Sequence, residues 1–198
     1  SSDGTTVYVA SFDGHLYALD RETGALRWDF KAAGNPYWPR GDFQSSPVVD
    51  GGRVYIGSRD YRLYAVDAAT GKEVWRNEHE NSWIISTPLV ADGRVIVGSS
   101  DARIIRAVDA ATGAELWTQK TGSNLLSSFI QIDGTAYSGT FGGAVFGINA
   151  ADGVYGLGAG LEDRVYGTPW IENGVLYIGT NDGLIYALKD GPMPELPQ

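Results

Sequence analysis

The chain has no cysteine among its 198 residues, which removes disulfides, thiol chemistry and thiolate metal sites, and is compatible with either a reducing or an oxidising compartment. It has two histidines, His15 and His79, and neither belongs to a spaced ligand pattern. Both fall in polar turn contexts and read as ordinary surface residues. Positive charge is scarce. Fifteen Lys and Arg against 24 Asp and Glu leave a net charge of −9, which argues against nucleic acid as a partner, since phosphates call for a basic face. No apolar run is long enough to span a bilayer, the start carries no basic-then-apolar leader, and no stretch keeps a long helical period. G-x-S-x-G and H-E-x-x-H are also missing.

Glycine and aromatic residues are what the chain has in quantity: 27 Gly, 11 Tyr and 6 Trp, within a 43% hydrophobic total. That mixture suits strands and turns with a substantial core. One unit recurs. Ala65, Asp67, Thr70, Gly71 and Trp75 spell A-x-D-x-x-T-G-x-x-x-W, and Ala107, Asp109, Thr112, Gly113 and Trp117 repeat it. Ala18, Asp20, Thr23, Gly24 and Trp28 form an earlier copy. A decayed copy has Gly153 at its turn and Leu157 where Trp is expected. Self-similarity at 40–50 residues is the mark of a propeller or solenoid array.

Each period divides into four short apolar or alternating segments separated by Asp, Asn and Gly turns. The second period is clearest, with segments at 45–49, 53–57, 63–66 and 72–75. The first period lacks its first segment and the last stops after its third, so eighteen strands are expected. The repeats fall approximately at 1–30, 44–77, 86–119, 127–158 and 167–190, within a repeat region of 1–191. A Pro-rich tail, 192–198, reads as extended or loose. Eighteen strands make either an incomplete ring or a five-bladed ring with two thinned blades. Open strand edges at either end favour self-association.

The A-x-D-x-x-T-G-x-x-x-W unit resembles the tryptophan-docking motif of the pyrroloquinoline-quinone (PQQ) repeat family, and the Ser-Ser/Thr-Pro and V-Y-I-G-S strands resemble it too. The likeness covers nearly the whole chain. It implies an all-β propeller of four-stranded antiparallel blades, with Trp28, Trp75 and Trp117 filling gaps between blades over Gly24, Gly71 and Gly113. Family members include quinoprotein dehydrogenases, a propeller lipoprotein of the outer-membrane protein assembly machinery, and sensor-like domains fused to kinases. By resemblance alone, the periplasm or cell exterior is the expected location. The repeat does not by itself imply the cofactor. A quinoprotein dehydrogenase resemblance would call for eight blades, calcium held beside PQQ by carboxylate and amide ligands, an Asp base and, in many members, a vicinal disulfide. The disulfide is excluded here, and no Asp base or calcium triad matches any stretch.

No catalytic, cofactor-binding or metal-binding residue is therefore expected, with PQQ and calcium entering only if the chain is a piece of such a dehydrogenase. Asp13-Gly14 and Asp182-Gly183 read as turns rather than calcium loops. Gly156, Gly158 and Gly160 lack the helix of a dinucleotide site and read as decay of an outer strand. The informative irregularity is the long connection from Phe30 to Gln44. It carries Tyr37, Trp38, Arg40 and Phe43, and a propeller would set these beside Arg59, Tyr61, Arg62 and Trp83 from neighbouring loops. Aromatics with Arg compose binding hot spots. The other reading is that Tyr37 and Trp38 fold down to plug the central channel or cap a blade. The expectation is a non-catalytic scaffold that binds a protein or peptide, or senses a ligand.

Overall fold

The computed structural model describes residues 1–189, and among them it holds eighteen β-strands and no helix. The first sheet is β1 (Thr6–Ala10), β2 (His15–Asp20) and β3 (Leu26–Lys31). The second is β4 (Val48–Asp50), β5 (Arg53–Gly57), β6 (Arg62–Asp67) and β7 (Glu73–Glu78). The third is β8 (Leu89–Ala91), β9 (Arg94–Gly98), β10 (Ile104–Asp109) and β11 (Glu115–Lys120). The fourth is β12 (Ile130–Ile132), β13 (Thr135–Gly139), β14 (Ala144–Asn149) and β15 (Tyr155–Gly160). The last is β16 (Trp170–Glu172), β17 (Val175–Gly179) and β18 (Ile185–Lys189). Within each sheet successive strands pair antiparallel, and none crosses over. The sheets hold three, four, four, four and three strands, as the repeat predicts. The expected tail at 192–198 lies outside the described residues.

The innermost strands are shorter than their sequence suggests. In the second sheet only Val48–Asp50 joins the ladder, and in the fourth only Ile130–Ile132, although Pro47 precedes the first and Phe129 the second. The preceding hydroxyl residues serve a different purpose. Ser45 donates to the Ser86 carbonyl at 3.0 Å, Ser127 donates to the Gly167 carbonyl at 2.8 Å, and the Thr87 N–H donates to Ser128 Oγ at 2.9 Å. These bonds tie the inner edge of one sheet to that of the next.

Alternation along each strand sends successive side chains into different gaps. Val54 and Ile56 pack with Tyr8, Leu16 and Phe30 of the first sheet, while Tyr55 between them packs with Trp75, Val95 and Val108. Likewise Ile96, Trp117 and Phe129 share the next gap, and Val145, Leu176 and Ile178 the last. The core thus lies between sheets.

Each of the first three gaps is closed by a tryptophan. Trp28 Nε1 donates to the Ala68 carbonyl at 3.0 Å, Trp75 to Ala110 at 3.1 Å, and Trp117 to Ala150 at 3.1 Å. A β-bulge recurs beside each ring, at Ala18/Leu19, Ala65/Val66 and Ala107/Val108. The extra residue re-aims the outer strand, which is what such a bulge does. The ring then lies over a turn glycine of the next sheet. A methyl added at Gly71, Gly113 or Gly153 would stand 2.7 Å from Trp28, Trp75 or Trp117 respectively. That turn is held by its aspartate: Asp67 Oδ1 accepts from Ala69 N, Thr70 N and Thr70 Oγ1, and Asp109 repeats the set. Asp20 does the same, and its bonds with Arg27 and Thr23 hold its carboxyl far below the usual range.

Among the described residues no core cluster joins the first sheet to the fifth, and Val9 and Ile185 stand exposed on their outward faces, so the sheets form an open array. Gly24 is the consequence. It has the same left-handed φ, +71°, as Gly71 at +72°, yet nothing lies within 4 Å of an added methyl. Substituting each with alanine separates two costs. Gly24→Ala should lose about 1–2 kcal/mol for the backbone alone. Gly71→Ala should lose about 1–3 kcal/mol more, because the Trp28 ring must move. Urea unfolding of both variants measures the difference.

Candidate functional site

The loops joining second to third strands and the connectors between sheets lie together at one end of the array. Arg59 N donates to the Asp42 carbonyl, Ser100 N to Trp83, Phe141 N to Asn124 and Asn181 N to Arg164. The same bond recurs at every junction, so each connector runs beside the loop of the sheet it enters.

The long connector is folded by its own polar groups. Asn35 Oδ1 accepts from Tyr37 N at 2.9 Å and Trp38 N at 2.7 Å, the side-chain turn that asparagine favours. Asp60, whose side chain is fully buried, then fastens the connector to the second sheet. Its Oδ2 accepts from Gly34 N at 2.9 Å and Tyr64 Oη at 2.5 Å, with Arg62 Nη1 at 3.3 Å. Arg62 Nη1 also donates to the Gly34 carbonyl at 2.8 Å. Burial and the Asp60 carboxylate push the Tyr64 hydroxyl well above its usual range, so it stays a donor.

This framework presents an arginine surrounded by rings. The Arg59 guanidinium carbon lies 5.5 Å from the centre of Phe12, 5.1 Å from Trp38 and 4.9 Å from Trp83. Trp38 and Trp83 meet edge to face at 5.2 Å. Arg59 Nε and Nη2 both donate to Gln44 Oε1, at 3.0 and 2.7 Å. Phe12 is 54% exposed and Tyr37 79%. Cation–π contacts of this kind fix a flexible cation in place at a partly wet surface.

Among the sequence candidates, then, Trp38, Arg59 and Trp83 come together. Tyr37 stands exposed beside them on the connector, and Arg40 is exposed with Nε 3.3 Å from Asp42 Oδ1. Tyr61 sits in the adjacent loop with φ 74°, the left-handed slot that Gly14, Gly143 and Gly183 fill in sister loops. Phe43 is a correction. It is 1% exposed and packs with Tyr64 in the core, because the connector turns inward after Gly41 and brings Phe43 N to the Ser11 carbonyl. Arg62 likewise belongs to the buried Asp60 network rather than to the surface. Phe12 was missed, as was a second cluster in which Arg164 lies 4.6 Å over Phe141 and Phe141 meets Tyr166 at 5.4 Å. The repeat could have pointed to them, since Phe12, Arg59 and Phe141 occupy one repeat position, as do Asp42, Trp83, Asn124 and Arg164.

His79 is a further correction: it is fully buried, and neither ring nitrogen has a partner within the protein. It holds the repeat position of Ala32, Thr121 and Leu161, whose N–H groups all donate to the preceding loop, and that position faces a gap between sheets. Among the described residues, no group of three or more His, Cys, Asp or Glu side chains converges to hold a metal ion.

An array of small twisted sheets tied inner edge to inner edge, with tryptophans closing the gaps, defines a β-propeller built from repeated blades. The chain belongs to the PQQ-repeat family described as "Outer membrane protein assembly factor BamB", whose profile matches residues 13–153 and 101–191. No curated protein matches it in sequence. Among solved structures it is similar to BamB from Moraxella catarrhalis, at 21% identity and TM-score 0.78 over 93% of this chain and 55% of that one. It is similar also to a europium-containing methanol dehydrogenase, at 17% identity and TM-score 0.80 over 94% and 47%. A computationally designed protein, Ika8, superposes at 16% identity and TM-score 0.82 over 96% and 57%. The chain spans about half the length of these proteins, and at such identities the likeness is one of fold.

Burial and the Arg106 guanidinium hold the His79 imidazole down at about 3, so the folded protein keeps it neutral. The unfolded chain protonates it near 6.5. Stability is thus intact above that pH and lost as pH falls from about 6.5 toward 3, by up to about 1.4 kcal/mol per unit. The turn aspartates, held low, release theirs only below about pH 4. Urea unfolding at pH 7 and 4.5 should cost the native protein about 2–3 kcal/mol more than His79→Leu.

Proposed function

We propose that this chain is a non-catalytic propeller that binds a protein or peptide at the loop end, through the surface formed by Phe12, Tyr37, Trp38, Arg40, Arg59, Tyr61 and Trp83. The observation that carries this reading is the Arg59 guanidinium held among three rings beside an exposed Tyr37. Aromatic and arginine side chains dominate binding energy at protein interfaces, and here they are ordered in advance by a buried Asp60 network. Family membership supports a scaffold role, and we place the chain in the periplasm or cell exterior on that resemblance. The alternative, a piece of a PQQ- and calcium-dependent dehydrogenase, is supported only by shared fold.

A second interaction is favoured by a separate observation. On the fifth sheet Trp170 is 65% and Ile185 79% exposed, and Val9 on the first sheet is 42% exposed. In the inner sheets the equivalent positions face a neighbouring blade. We read these two faces as the surfaces through which blades of a second copy pack.

In-cell photo-crosslinking tests the loop surface. A crosslinker at position 37 should capture a partner, whereas one at position 173, at the opposite end of the strands, should not. Tyr37→Ser with Arg40→Ala should reduce that capture at least about tenfold with Tm unchanged. Equal capture from both ends would defeat the proposal. For the sheet faces, sedimentation velocity should show association that Trp170→Asp and Ile185→Asp abolish. A purely monomeric native protein would refute it.

A further inference from the structure

The loop surface sorts its hydrogen-bonding groups by kind, and those left open to a partner are donors. Trp28, Trp75 and Trp117 each donate the indole N–H to a carbonyl of the next sheet. Trp38 and Trp83 differ. Among the described residues neither Nε1 has an acceptor, and neither is sealed from solvent. The Arg40 side chain is 66% exposed and engaged only through Nε, 3.3 Å from Asp42 Oδ1, so both of its terminal nitrogens lack a partner among the described residues. Arg59 uses Nε and Nη2 on Gln44, which leaves Nη1.

The acceptors are engaged or turned inward. Four carboxylates lie on the loops and connectors that carry Arg59 and its rings. Asp13 accepts from Tyr17 Oη at 2.8 Å and His15 N at 2.9 Å. The Asp42 side chain is 7% exposed and that of Asp60 is fully buried. Glu80 Oε1 lies 3.1 Å from Arg106 Nη2. The amide oxygens of Asn35 and Gln44 each accept from two N–H groups of the protein. The long connector from Lys31 to Gly41 has two cations and no acid. A chain of net charge −9 thus keeps a donor-rich, acid-free protrusion beside its exposed rings.

We propose that this surface recognises an acidic peptide segment, in which a carboxylate side chain stands beside an aromatic or proline residue of an extended chain. The inference rests on the loop reading above and names the chemistry of its partner. The carboxylate pairs with the terminal nitrogens of Arg40, whose planar fork matches two carboxylate oxygens. Its apolar neighbour packs on the Trp38 and Trp83 rings, and carbonyls of the extended chain accept from the two indole N–H groups. An anionic membrane fits this surface less well. Firm attraction to anionic lipid takes clusters of about four to eight basic residues. Here two guanidinium groups, Arg40 and Arg59, stand on an acidic molecule.

A random copolymer of glutamate and tyrosine is the probe, titrated into the native protein at about 0.1 M salt and followed by the indole N–H resonances. The Trp38 and Trp83 signals should shift, while those of Trp28, Trp75 and Trp117, bonded inside the gaps, should stay in place. Arg40→Gln should weaken the copolymer about tenfold, and Arg40→Glu should abolish the shifts. Unmoved Trp75 and Trp117 signals show that each variant folds. Raising the salt to about 0.5 M should weaken native binding severalfold, a readout that needs no variant. Four results would each overturn the acidic partner: Trp38 and Trp83 signals that stay in place, undiminished binding by Arg40→Glu, equal binding of a lysine–tyrosine copolymer, or a response to phosphatidylglycerol vesicles in place of the copolymer. Capture by a crosslinker at position 37 without a copolymer response would remove the acidic partner and leave the loop surface. No capture at position 37 would remove the surface itself.

Discussion

A tryptophan ring laid against a glycine of the next blade, its N–H on a buried carbonyl, is the contact on which this architecture depends. It meets three requirements together. The ring fills the gap between two neighbouring sheets, lying against the turn of the second. Its indole N–H satisfies a carbonyl that the turn leaves without a ladder partner. The glycine permits both the left-handed turn and the close approach. Around Ala110 the arrangement is densest, because Tyr55 and Arg53 converge with Trp75 on one oxygen. Truncating such a ring would cost about 3–5 kcal/mol, a large share of a domain's net stability.

The strand plan was legible because it is written several times over. Five copies of one pattern reinforce one another, and apolar alternation with Asp-Gly turns locates each strand without reference to tertiary contacts. The ends of the inner strands were less legible, since the serines before them trade ladder bonds for bonds to the next blade. Side chains in connectors were least legible. Whether Phe43 points outward or inward depends on the turn made by Asn35 and on Asp60, seventeen residues further along the chain, and neither relation appears in local spacing. His79 was misjudged for a related reason. Its neighbours Glu78, Glu80 and Asn81 are polar and exposed, and only its alignment with Ala32 reveals an inward position.

The loop end and the strand scaffold answer to different constraints. The scaffold repeats with small variation because every gap must be filled in the same way. The loops repeat only their backbone bonds, so their side chains are free to differ from blade to blade: Phe12, Arg59, Ser100, Phe141 and Asn181 share one frame. The same frame superposes on an assembly factor, a dehydrogenase and a designed protein, which is expected when function resides in grafted side chains.

Because the core is divided among gaps, the chain has no single hydrophobic centre whose alteration is felt everywhere. Each interface can drift, lose a residue or acquire a cavity while its neighbours keep their packing, and the damage stays local. Such modularity lets a repeat protein explore new surfaces one blade at a time without risking the whole, an evolutionary freedom denied to domains with one shared interior.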